Sequence, residues 1–378
     1  MIKIGITGQA GFIGTHLYNY LGLHENVARV FFENDYFQQK TKLNNFVKSC
    51  DVIVHLAAMN RHGDSQVIYD TNIKLVRQLI TACETTKSLP HILFSSSTQE
   101  EQDNLYGKSK YDGRILVEEW AIRNNAKFTG LIIPNVFGPF GNPYYNSFIA
   151  TFCHQLTHGE QPEIQTDGIV KLIYVGELVE EIHKHITSMQ LKKSVETLIN
   201  SIKVEHTSEN RVSTTLNLLK SYKENYFEKG VIPNLDNSFE KNLFNTFLCY
   251  VNHQSFFPFH LTKYTDNRGS FVETVKLNSG GQVSFSTTAP GITRGNHYHT
   301  RKAERFAVIK GKAMIELRRI GTEDVLRFKL NGESPSFVDM PIWYTHNITN
   351  IGQDELITIF WINEKYNQND PDTFFEEV

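Results

Sequence analysis

The sequence lacks the features that mark secreted, membrane-spanning or nucleic-acid-binding proteins. Its 378 residues include four cysteines, Cys50, Cys83, Cys153 and Cys249, which lie far apart and form no CxxC pair. This spacing predicts reduced, mostly buried thiols in a cytoplasmic protein. No apolar run approaches the roughly 20 residues that span a bilayer, and the N-terminus lacks a signal-peptide pattern. The net charge of -3 gives no strong field for nucleic acid or anionic membranes.

The composition is that of folded globular domains. Hydrophobic residues make up 40% of the chain and charged residues 21%, so each part can build an apolar core. The length predicts two domains rather than one. Fifteen histidines are present, and the composition alone does not explain this number.

The first half alternates short apolar runs with helix-like segments. Continuous apolar strands separated by helices predict a parallel sheet covered on both faces, an α/β Rossmann-type domain. A helix is predicted to begin at Phe12. The predicted strands are Ile2–Ile6, Ala28–Phe32, Asp51–Leu56, His91–Ser95 and Thr129–Ile133.

The last third has a different pattern. From Thr262 onward, short apolar runs separated by Pro, Gly and Asn turns predict an antiparallel all-β barrel. We interpret the polar segment Glu209–Phe257 as the end of the first domain and a connector, so the expected domains are residues 1–250 and 251–378. The predicted barrel strands include Gly281–Phe285, Ala307–Ile309, Ala313–Leu317 and Leu356–Trp361.

A glycine-rich loop follows the first predicted strand. Glycines at positions 8, 11 and 14 permit a tight turn, close approach to a pyrophosphate and close packing of helix on strand. The N–H groups that begin the next helix can bind phosphate oxygens. A glycine trio alone is weak evidence, but its position between the first strand and the first helix predicts a dinucleotide site. The expected contacts are Thr7, Gly8, Gly11, Phe12, Ile13 and Gly14.

A second polar set follows the fourth predicted strand. Ser95-Ser96-Ser97 ends the strand, and Tyr106 and Lys110 are four residues apart on one face of the next helix. An ammonium beside a phenol favours the phenolate, so we expect Lys110 to lower the pKa of Tyr106. A hydroxyl at the strand end can hold a substrate carbonyl while the tyrosine transfers a proton. An exposed Tyr/Lys helix face is the alternative, which the serine strand and the glycine loop disfavour.

These segments resemble the extended short-chain dehydrogenase/reductase family over roughly residues 1–200. The resemblance rests on the glycine loop, His55-Leu56-Ala57-Ala58, the serine strand and the Tyr-x-x-x-Lys pair. It implies NAD(P)-dependent chemistry on nucleotide sugars, with Ser97, Tyr106 and Lys110 in the catalytic positions. It also implies that Asn135, in the segment Pro134–Pro139, lies beside the substrate diphosphate.

The sequence leaves the choice between NAD and NADP open. Glu33-Asn34-Asp35 follows the second predicted strand, with no arginine there. An acidic residue such as Glu33 would accept from a ribose 2′-OH and repel a 2′-phosphate, which favours NAD. The alternative is that both carboxylates face water. The family resemblance, in contrast, implies NADPH.

Histidines in the last third form a pattern typical of a metal site. His297 and His299 are two residues apart, so in a strand both side chains point the same way. Glu304 belongs to the next predicted strand and His346 to a distant one. Three imidazoles and one carboxylate suit Zn, Fe, Ni or Mn. We therefore expect a divalent metal, with zinc as the first candidate.

The spacing G-x5-H-x-H-x4-E-x6-G, followed by P-x4-H-x3-N, resembles the two cupin motifs, over about residues 262–378. This resemblance implies an all-β jelly-roll barrel that holds the metal through His297, His299, Glu304 and His346. The alternative is a degenerate cupin without metal, because some sugar-epimerising cupins use only histidine and tyrosine.

The order of the two halves resembles the bifunctional capsular-polysaccharide enzymes of the UDP-N-acetyl-L-fucosamine pathway. The match extends over nearly the whole chain, including Asn234–Asn237, Phe239–Lys241 and Asp266–Phe271. It implies epimerisation at C3 of a UDP-2-acetamido-2,6-dideoxy-4-hexulose in the C-terminal domain and reduction of the C4 ketone in the N-terminal domain. The implied product is a UDP-N-acetyl-6-deoxy-L-talosamine.

The expected partner is that UDP-linked 4-keto-6-deoxy amino sugar, with no nucleic acid and no membrane. A homo-oligomer, such as a dimer, is expected by analogy. Two alternatives stay open: an epimerase or dehydratase that keeps its NAD bound, and a barrel whose metal serves folding or dimer contacts. The motif does not identify the epimerase base, for which His299 and Glu304 are the candidates.

Overall fold

The structure, a computed structural model, describes residues 1–191, 198–266, 269–272, 274–278, 280–364 and 366–378. Asn267 and Arg268, within the Asp266–Phe271 segment quoted above, lie outside the described residues. The chain forms two compact units, one of residues 1–148 and 167–212 and the other of residues 149–166 and 213–378.

The main division between the units falls after Val212, earlier than the predicted boundary near residue 250. Most of the expected connector therefore belongs to the second unit. Within that unit, Tyr226 donates a hydrogen bond to Asp339, and Arg305 donates one to the Gly230 carbonyl. These bonds attach the segment to strands that follow it by about a hundred residues, which local sequence patterns do not reveal.

The elements up to residue 222 combine parallel strands with long helices. In chain order they are β1 Ile2–Thr7, α1 Phe12–Leu21, β2 Val27–Val30, α2 Lys40–Ser49, β3 Val52–His55, α3 Ser65–Thr86, β4 His91–Ser97, α4 Leu105–Asn124, β5 Phe128–Ile133, β6 Asn135–Phe137, α5 Phe148–Thr157, β7 Ile169–Tyr174, α6 Val175–Leu191, β8 Ile199–Lys203, β9 Ser208–Arg211 and α7 Val212–Tyr222.

The remaining elements are mostly strands. They are β10 Val231–Ile232, α8 Ser238–Leu248, α9 His253–Phe256, β11 Phe259–His260, β12 Lys263–Asp266, β13 Gly269–Val272, β14 Lys276–Leu277, β15 Gln282–Thr288, β16 Thr293–Tyr298, β17 Glu304–Lys310, β18 Lys312–Arg319, β19 Val325–Asn331, β20 Ser336–Met340, β21 Tyr344–Asn350, β22 Leu356–Ile362 and β23 Phe374–Phe375.

A six-stranded parallel sheet with the order β2-β1-β3-β4-β5-β8 forms the centre of the first unit. Every residue of β3 is buried, as expected for a strand covered on both faces. The next two strands along the chain, β2 and β3, lie on opposite sides of β1, so the strand order reverses there. Ligands of such sheets bind at the carboxyl ends of the strands at this switch point. Thr7 and Ser97 end β1 and β4, and therefore lie at this edge.

Two five-stranded antiparallel sheets, β11-β20-β17-β22-β15 and β19-β18-β21-β16-β23, form the β structure of the second unit. In β18 the buried residues alternate with more accessible ones, which is typical of a strand with one face in the core. Ile315 and Phe337 are among the fully buried side chains of this core. The predicted fold class, a parallel α/β domain followed by an all-β domain, is confirmed.

Cys50, Cys83 and Cys153 are buried and free, and Cys249 is partly buried and free. Burial, with a smaller contribution from nearby charges, raises the pKa of Cys50 and of Cys83 to about 12. Their burial agrees with the sequence prediction, and the raised pKa makes these thiols poor nucleophiles. In the described part of the chain, no helix combines the length and apolar character needed to cross a bilayer.

Candidate functional site

In the glycine loop between β1 and α1, the backbone at Gly11 and Gly14 lies in close contact with the backbone at Gly8. Gly8 has a left-handed φ of +74°, and the Gly11 N–H donates to the Gly8 carbonyl at 2.9 Å. A Cβ on Gly14 would lie 2.2 Å from the Gly8 oxygen and 2.8 Å from that of Gln9, so a larger residue displaces the loop. The first turn of α1 carries no acidic side chain. Its partial positive charge is therefore suited to a pyrophosphate.

The other predicted loop residues lie around the same turn. Thr7 Oγ1 is 2.7 Å from Nδ1 of the buried His55. Burial, with a smaller contribution from the Lys110 charge, lowers the pKa of His55 to about 3, so this imidazole is neutral. Phe12 and Ile13 begin α1 and are partly buried.

We expect Gly14→Ala to weaken binding of the reduced cofactor by at least about fivefold, because relieving the new overlap costs about 1–3 kcal/mol. A fluorescence titration with NADH and with NADPH measures this affinity. Gly63→Ala is the matched control, since a Cβ there meets no atom within 4 Å. Unchanged affinity in a folded Gly14→Ala protein would show that the cofactor does not approach this loop.

The acidic residues after β2 have different surroundings. Asp35 Oδ2 lies 3.3 Å from Lys42 Nζ and accepts from Gln39 Nε2 at 2.6 Å. Glu33 is exposed and precedes a short 3₁₀ helix, Asn34–Gln38. Because Lys42 partly neutralises Asp35, Glu33 is the acid better placed to meet a ribose hydroxyl.

The serine strand and the tyrosine helix are held together by close backbone contact. Ser97 Oγ accepts from Gln99 N at 3.2 Å and caps the 3₁₀ turn Thr98–Glu101. Asn104 caps α4 by accepting from Gly107 N at 2.7 Å. A Cβ on Gly107 would lie 1.9 Å from the Gln99 oxygen. This contact fixes the start of α4, where Tyr106 lies, against the end of β4.

Burial controls the ionisation of Tyr106 and Lys110. Lys110 is 5% exposed, and burial lowers its pKa to about 8, with the Glu100 charge opposing. Burial, and secondarily Tyr145, raises the pKa of Tyr106 to about 12. The prediction that the pKa of Tyr106 falls below its ordinary value is wrong for this structure, because burial of the phenol raises it. Tyr106 therefore keeps its proton at neutral pH, as a proton donor must.

Asn72 on α3 is a positioning residue that the sequence reasoning missed. It is 4% exposed, accepts from Met59 N at 2.7 Å and donates to Ser109 Oγ at 2.9 Å. Ser109 in turn donates to the Tyr106 carbonyl at 2.7 Å. Asn72 thus links the loop after β3 to the helix that carries the tyrosine. The available signal was a polar residue between the buried Ile68 and Val76, four residues from each.

Asn135 begins β6 directly after the β5–Pro134 connection and is exposed. Its backbone is in parallel register with Leu172 of β7. The side chain is therefore accessible to a ligand, and its contact with a substrate diphosphate stays a prediction.

The four predicted metal ligands converge in the second unit. One donor atom from each lies within 4.8 Å of the others. Glu304 Oε2 is 3.1 Å from His346 Nε2 and 3.4 Å from His299 Nε2. His297 lies in β16, Glu304 begins β17 and His346 lies in β21. The two sheets therefore both contribute to the cluster.

A β-bulge in β16 aims His297 toward the cluster. Gly295 and Asn296 have φ values of +107° and +56°, and the register with β21 shifts between Gly295 and His297. A Cβ on Gly295 would lie 2.7 Å from the His346 oxygen. Bulges of this kind redirect the following side chains. The His-x-His spacing alone does not reveal this turn of the strand.

Backbone carbonyls fix the tautomers of two histidines. Nδ1 of His299 donates to the Asp372 carbonyl, and Nδ1 of His346 lies 3.2 Å from the Tyr344 carbonyl. When neutral, each ring then presents the lone pair of its Nε2 to the Glu304 carboxylate. The Asp372 carboxylate also accepts from Thr300 N at 3.1 Å, which holds this C-terminal segment at the site.

The cluster fits a divalent cation. The buried Nε2 of His299 has no hydrogen-bond partner among the described residues, and a lone pair facing a carboxylate is repulsive unless a cation or proton lies between them. Burial alone would raise the pKa of Glu304, but its close contacts with the imidazoles of His299 and His346 hold that pKa well below its ordinary value. Burial, aided by His346 and His299, lowers the pKa of His297 to about 4. At neutral pH the group therefore offers a carboxylate from Glu304 and a neutral imidazole from His297, whereas contact with Glu304 raises the pKa of His299 despite its burial, so metal binding there releases a proton.

Two family profiles match the chain. The profile of the NAD dependent epimerase/dehydratase family matches residues 4–198, more than half of the chain. The chain belongs to this family. Residues 264–374 match the polysaccharide biosynthesis C-terminal domain. Membership of an NAD-dependent family assigns a nicotinamide dinucleotide cofactor to this enzyme.

This epimerase/dehydratase family member matches two relatives over both of its units. It is 30% identical over 374 residues to UDP-2-acetamido-2,6-beta-L-arabino-hexul-4-ose reductase of Pseudomonas aeruginosa, covering 99% of this chain and 98% of the relative. It is 34% identical, with a TM-score of 0.62 and 100% coverage of both chains, to the capsular polysaccharide assembling protein CapF from Staphylococcus aureus. RMD from Pseudomonas aeruginosa, complexed with NADPH, shares 19% identity and a TM-score of 0.52 over 59% of this chain and 83% of that one, a similarity of fold alone.

Proposed function

We propose that the protein is a bifunctional nucleotide-sugar enzyme of capsule or surface polysaccharide synthesis. Its C-terminal barrel epimerises C3 of a UDP-2-acetamido-2,6-dideoxy-4-hexulose, and its N-terminal unit reduces the C4 ketone with NAD(P)H to a UDP-N-acetyl-6-deoxy-L-talosamine. The observation that carries this proposal is the end-to-end similarity, over 99% of the chain, to a reductase named for a UDP-linked hexulose. The residues of the two sites suit the two reactions.

The reduction needs a hydride donor, a proton donor and a held carbonyl. The nicotinamide cofactor supplies the hydride to C4 when it is bound. Tyr106, with its pKa of about 12, holds its proton and donates it to the C4 oxygen. The phenolate left on Tyr106 is stabilised by the Lys110 ammonium, which also orients the nicotinamide ribose. Ser97 Oγ positions the carbonyl during the transfer.

Epimerisation needs a polarised ketone and a base that removes the C3 proton. A divalent metal held by His297, His299, Glu304 and His346 supplies Lewis acidity when it is bound. Polarisation of the C4 carbonyl makes the neighbouring C–H more acidic. His299 and Glu304, the candidate bases, both occupy ligand positions. A different base is therefore required if all four side chains hold the metal.

Deuterium exchange tests the epimerase directly. We expect the metal-loaded protein, incubated with the 4-keto sugar in D2O without reduced cofactor, to incorporate deuterium at C3, as followed by NMR. His297→Ala should lose this exchange, because it removes one metal ligand. Absence of exchange in the intact, metal-loaded protein would rule out epimerisation in the barrel.

The finer cofactor and assembly assignments are also proposals. The family resemblance supports NADPH and the exposed Glu33 supports NADH, so adding each to the epimerised substrate identifies the one consumed faster. Zinc is proposed as the metal on the basis of its histidine and carboxylate ligands. A cytoplasmic homodimer is proposed by analogy, and light scattering measures its mass.

The family description favours one second candidate, an epimerase or dehydratase that retains NAD. In that case neither added NADH nor NADPH is consumed, and the purified protein carries bound NAD. The barrel then has a structural role, with its metal stabilising the fold.

A further inference from the structure

A buried ion pair lies behind the proposed reductase residues. Arg114 of α4 donates to Glu100 through Nε to Oε2 at 3.2 Å and through Nη2 to Oε1 at 3.0 Å. Their side chains are only 10% and 7% exposed. Arg114 also donates to Ser201 Oγ of β8 at 3.2 Å. Desolvating two charges is costly, and the bidentate geometry offsets this cost only in part. Such a pair therefore invites a functional explanation.

The pair connects the two elements that carry the proposed catalytic residues. Ser96, directly before Ser97, donates through Oγ to Glu100 Oε2 at 2.5 Å. Glu100 lies in the 3₁₀ turn that Ser97 caps. Arg114 lies four residues after Lys110 on α4, on the same helix face. The ion pair thus joins the end of β4 to the helix of the tyrosine and the lysine.

The negative charge of Glu100 also acts on Lys110. The charges of Glu100 and Lys110 interact, as do those of Lys110 and His55 of β3. Tyr106 lies one turn before Lys110 on α4, and the uncharged Phe94 ring of β4 is 5.3 Å from Lys110 Nζ. With pKa values of about 3 and 12, His55 and Tyr106 are neutral near pH 7. Burial lowers the pKa of Lys110, and the Glu100 charge opposes that change.

We infer that Glu100 and Arg114 are positioning residues of the reductase site: Arg114 fixes the Glu100 carboxylate, which holds the turn of Ser97 in place and presents a negative charge to the Lys110 ammonium. This inference rests on the proposed reductase function, because it concerns the same site.

The pH dependence of ketone reduction tests this assignment. Glu100→Gln removes the negative charge and leaves that of Arg114, so the pKa of Lys110 should fall. The alkaline limb of the kcat profile should therefore shift to lower pH by about one unit. Arg114→Gln leaves the Glu100 carboxylate without its cationic partner, so the pKa of Lys110 should rise. The same limb should therefore shift to higher pH. Structural damage alone lowers the rate in both variants and moves neither limb. Opposite shifts therefore support the electrostatic role.

Glu118→Gln is the matched control. Glu118 Oε2 lies 3.5 Å from Arg114 Nη1 and its side chain is 28% exposed, but it is not bonded to Ser96. We expect this variant to keep the wild-type pH profile. The dissociation constant of the reduced cofactor should change little in any of these variants, because the glycine loop is intact.

A double variant keeps the test decisive if a single charge left buried prevents folding. E100Q/R114Q removes both charges together. The pH of its alkaline limb should be lower than that of the wild type but higher than that of E100Q. Circular dichroism confirms that each variant is folded. Identical limbs in the wild type and in every folded variant would overturn the inference. A wild-type protein that consumes neither NADH nor NADPH would instead overturn the proposed reductase function.

Discussion

Replacing Tyr106 by phenylalanine is expected to slow ketone reduction by about 10²- to 10⁴-fold, the usual contribution of a positioned proton donor. Phenylalanine keeps the partly buried ring and the start of α4, so the fold and cofactor binding should be preserved. The new side chain has no proton to donate to the C4 oxygen. Single-turnover consumption of the reduced cofactor, with the epimerised sugar as substrate, measures the effect on the chemical step.

Tyr111→Phe is the control for this experiment. Tyr111 lies on the same helix but is 46% exposed, so its replacement should leave the rate near that of the wild type. Deuterium exchange at C3 should continue in Tyr106→Phe, because every metal ligand lies in the second unit. A Tyr106→Phe enzyme that reduces the ketone at the wild-type rate would show that another group donates the proton.

Glu304→Gln is expected to weaken metal binding by at least about 100-fold, since even outer partners of metal ligands contribute 10- to 100-fold. The amide is nearly isosteric but removes the charge that faces His299 and His346. Metal content after dialysis against a chelator, measured by mass spectrometry, should fall, and C3 exchange should be lost with it. His260→Gln, at an exposed histidine of the same unit, should retain the metal.

The metal experiment also separates a catalytic from a structural role. If the metal-free protein still exchanges the C3 hydrogen but unfolds at a lower temperature, the metal stabilises the barrel without taking part in the reaction. Full metal content in both Glu304→Gln and His346→Gln proteins would place the bound metal elsewhere in the chain.

The sequence predicts the fold class well because its strongest signals are local. Buried parallel strands such as β3 are continuous apolar runs, and the loop at Gly14 allows no side chain. The grouping of His297, Glu304 and His346 also follows from strand periodicity together with the spacing of the two cupin motifs. These features depend on residue type and short-range spacing, which a single sequence displays.

Features that depend on long-range contacts were not predictable. The attachment of Tyr226 to Asp339 moves the unit boundary away from residue 250. The raised pKa of Tyr106 reflects burial by elements that are distant in sequence. The Glu100–Arg114 pair spans a turn and a helix whose relative position no periodicity gives. None of these three features can be predicted without the packed structure, because each depends on desolvation or on contacts between distant segments.

The carbonyl that accepts the hydrogen bond from His299 belongs to Asp372, which is translated late in synthesis of the chain. Asp372 follows His299 by 73 residues, so all four candidate ligand residues are translated before this hydrogen-bond partner. Until then, the ring of His299 lacks the acceptor that sets its tautomer. A nascent chain therefore completes this candidate metal site late, and we expect a chain truncated before Asp372 to bind the ion more weakly.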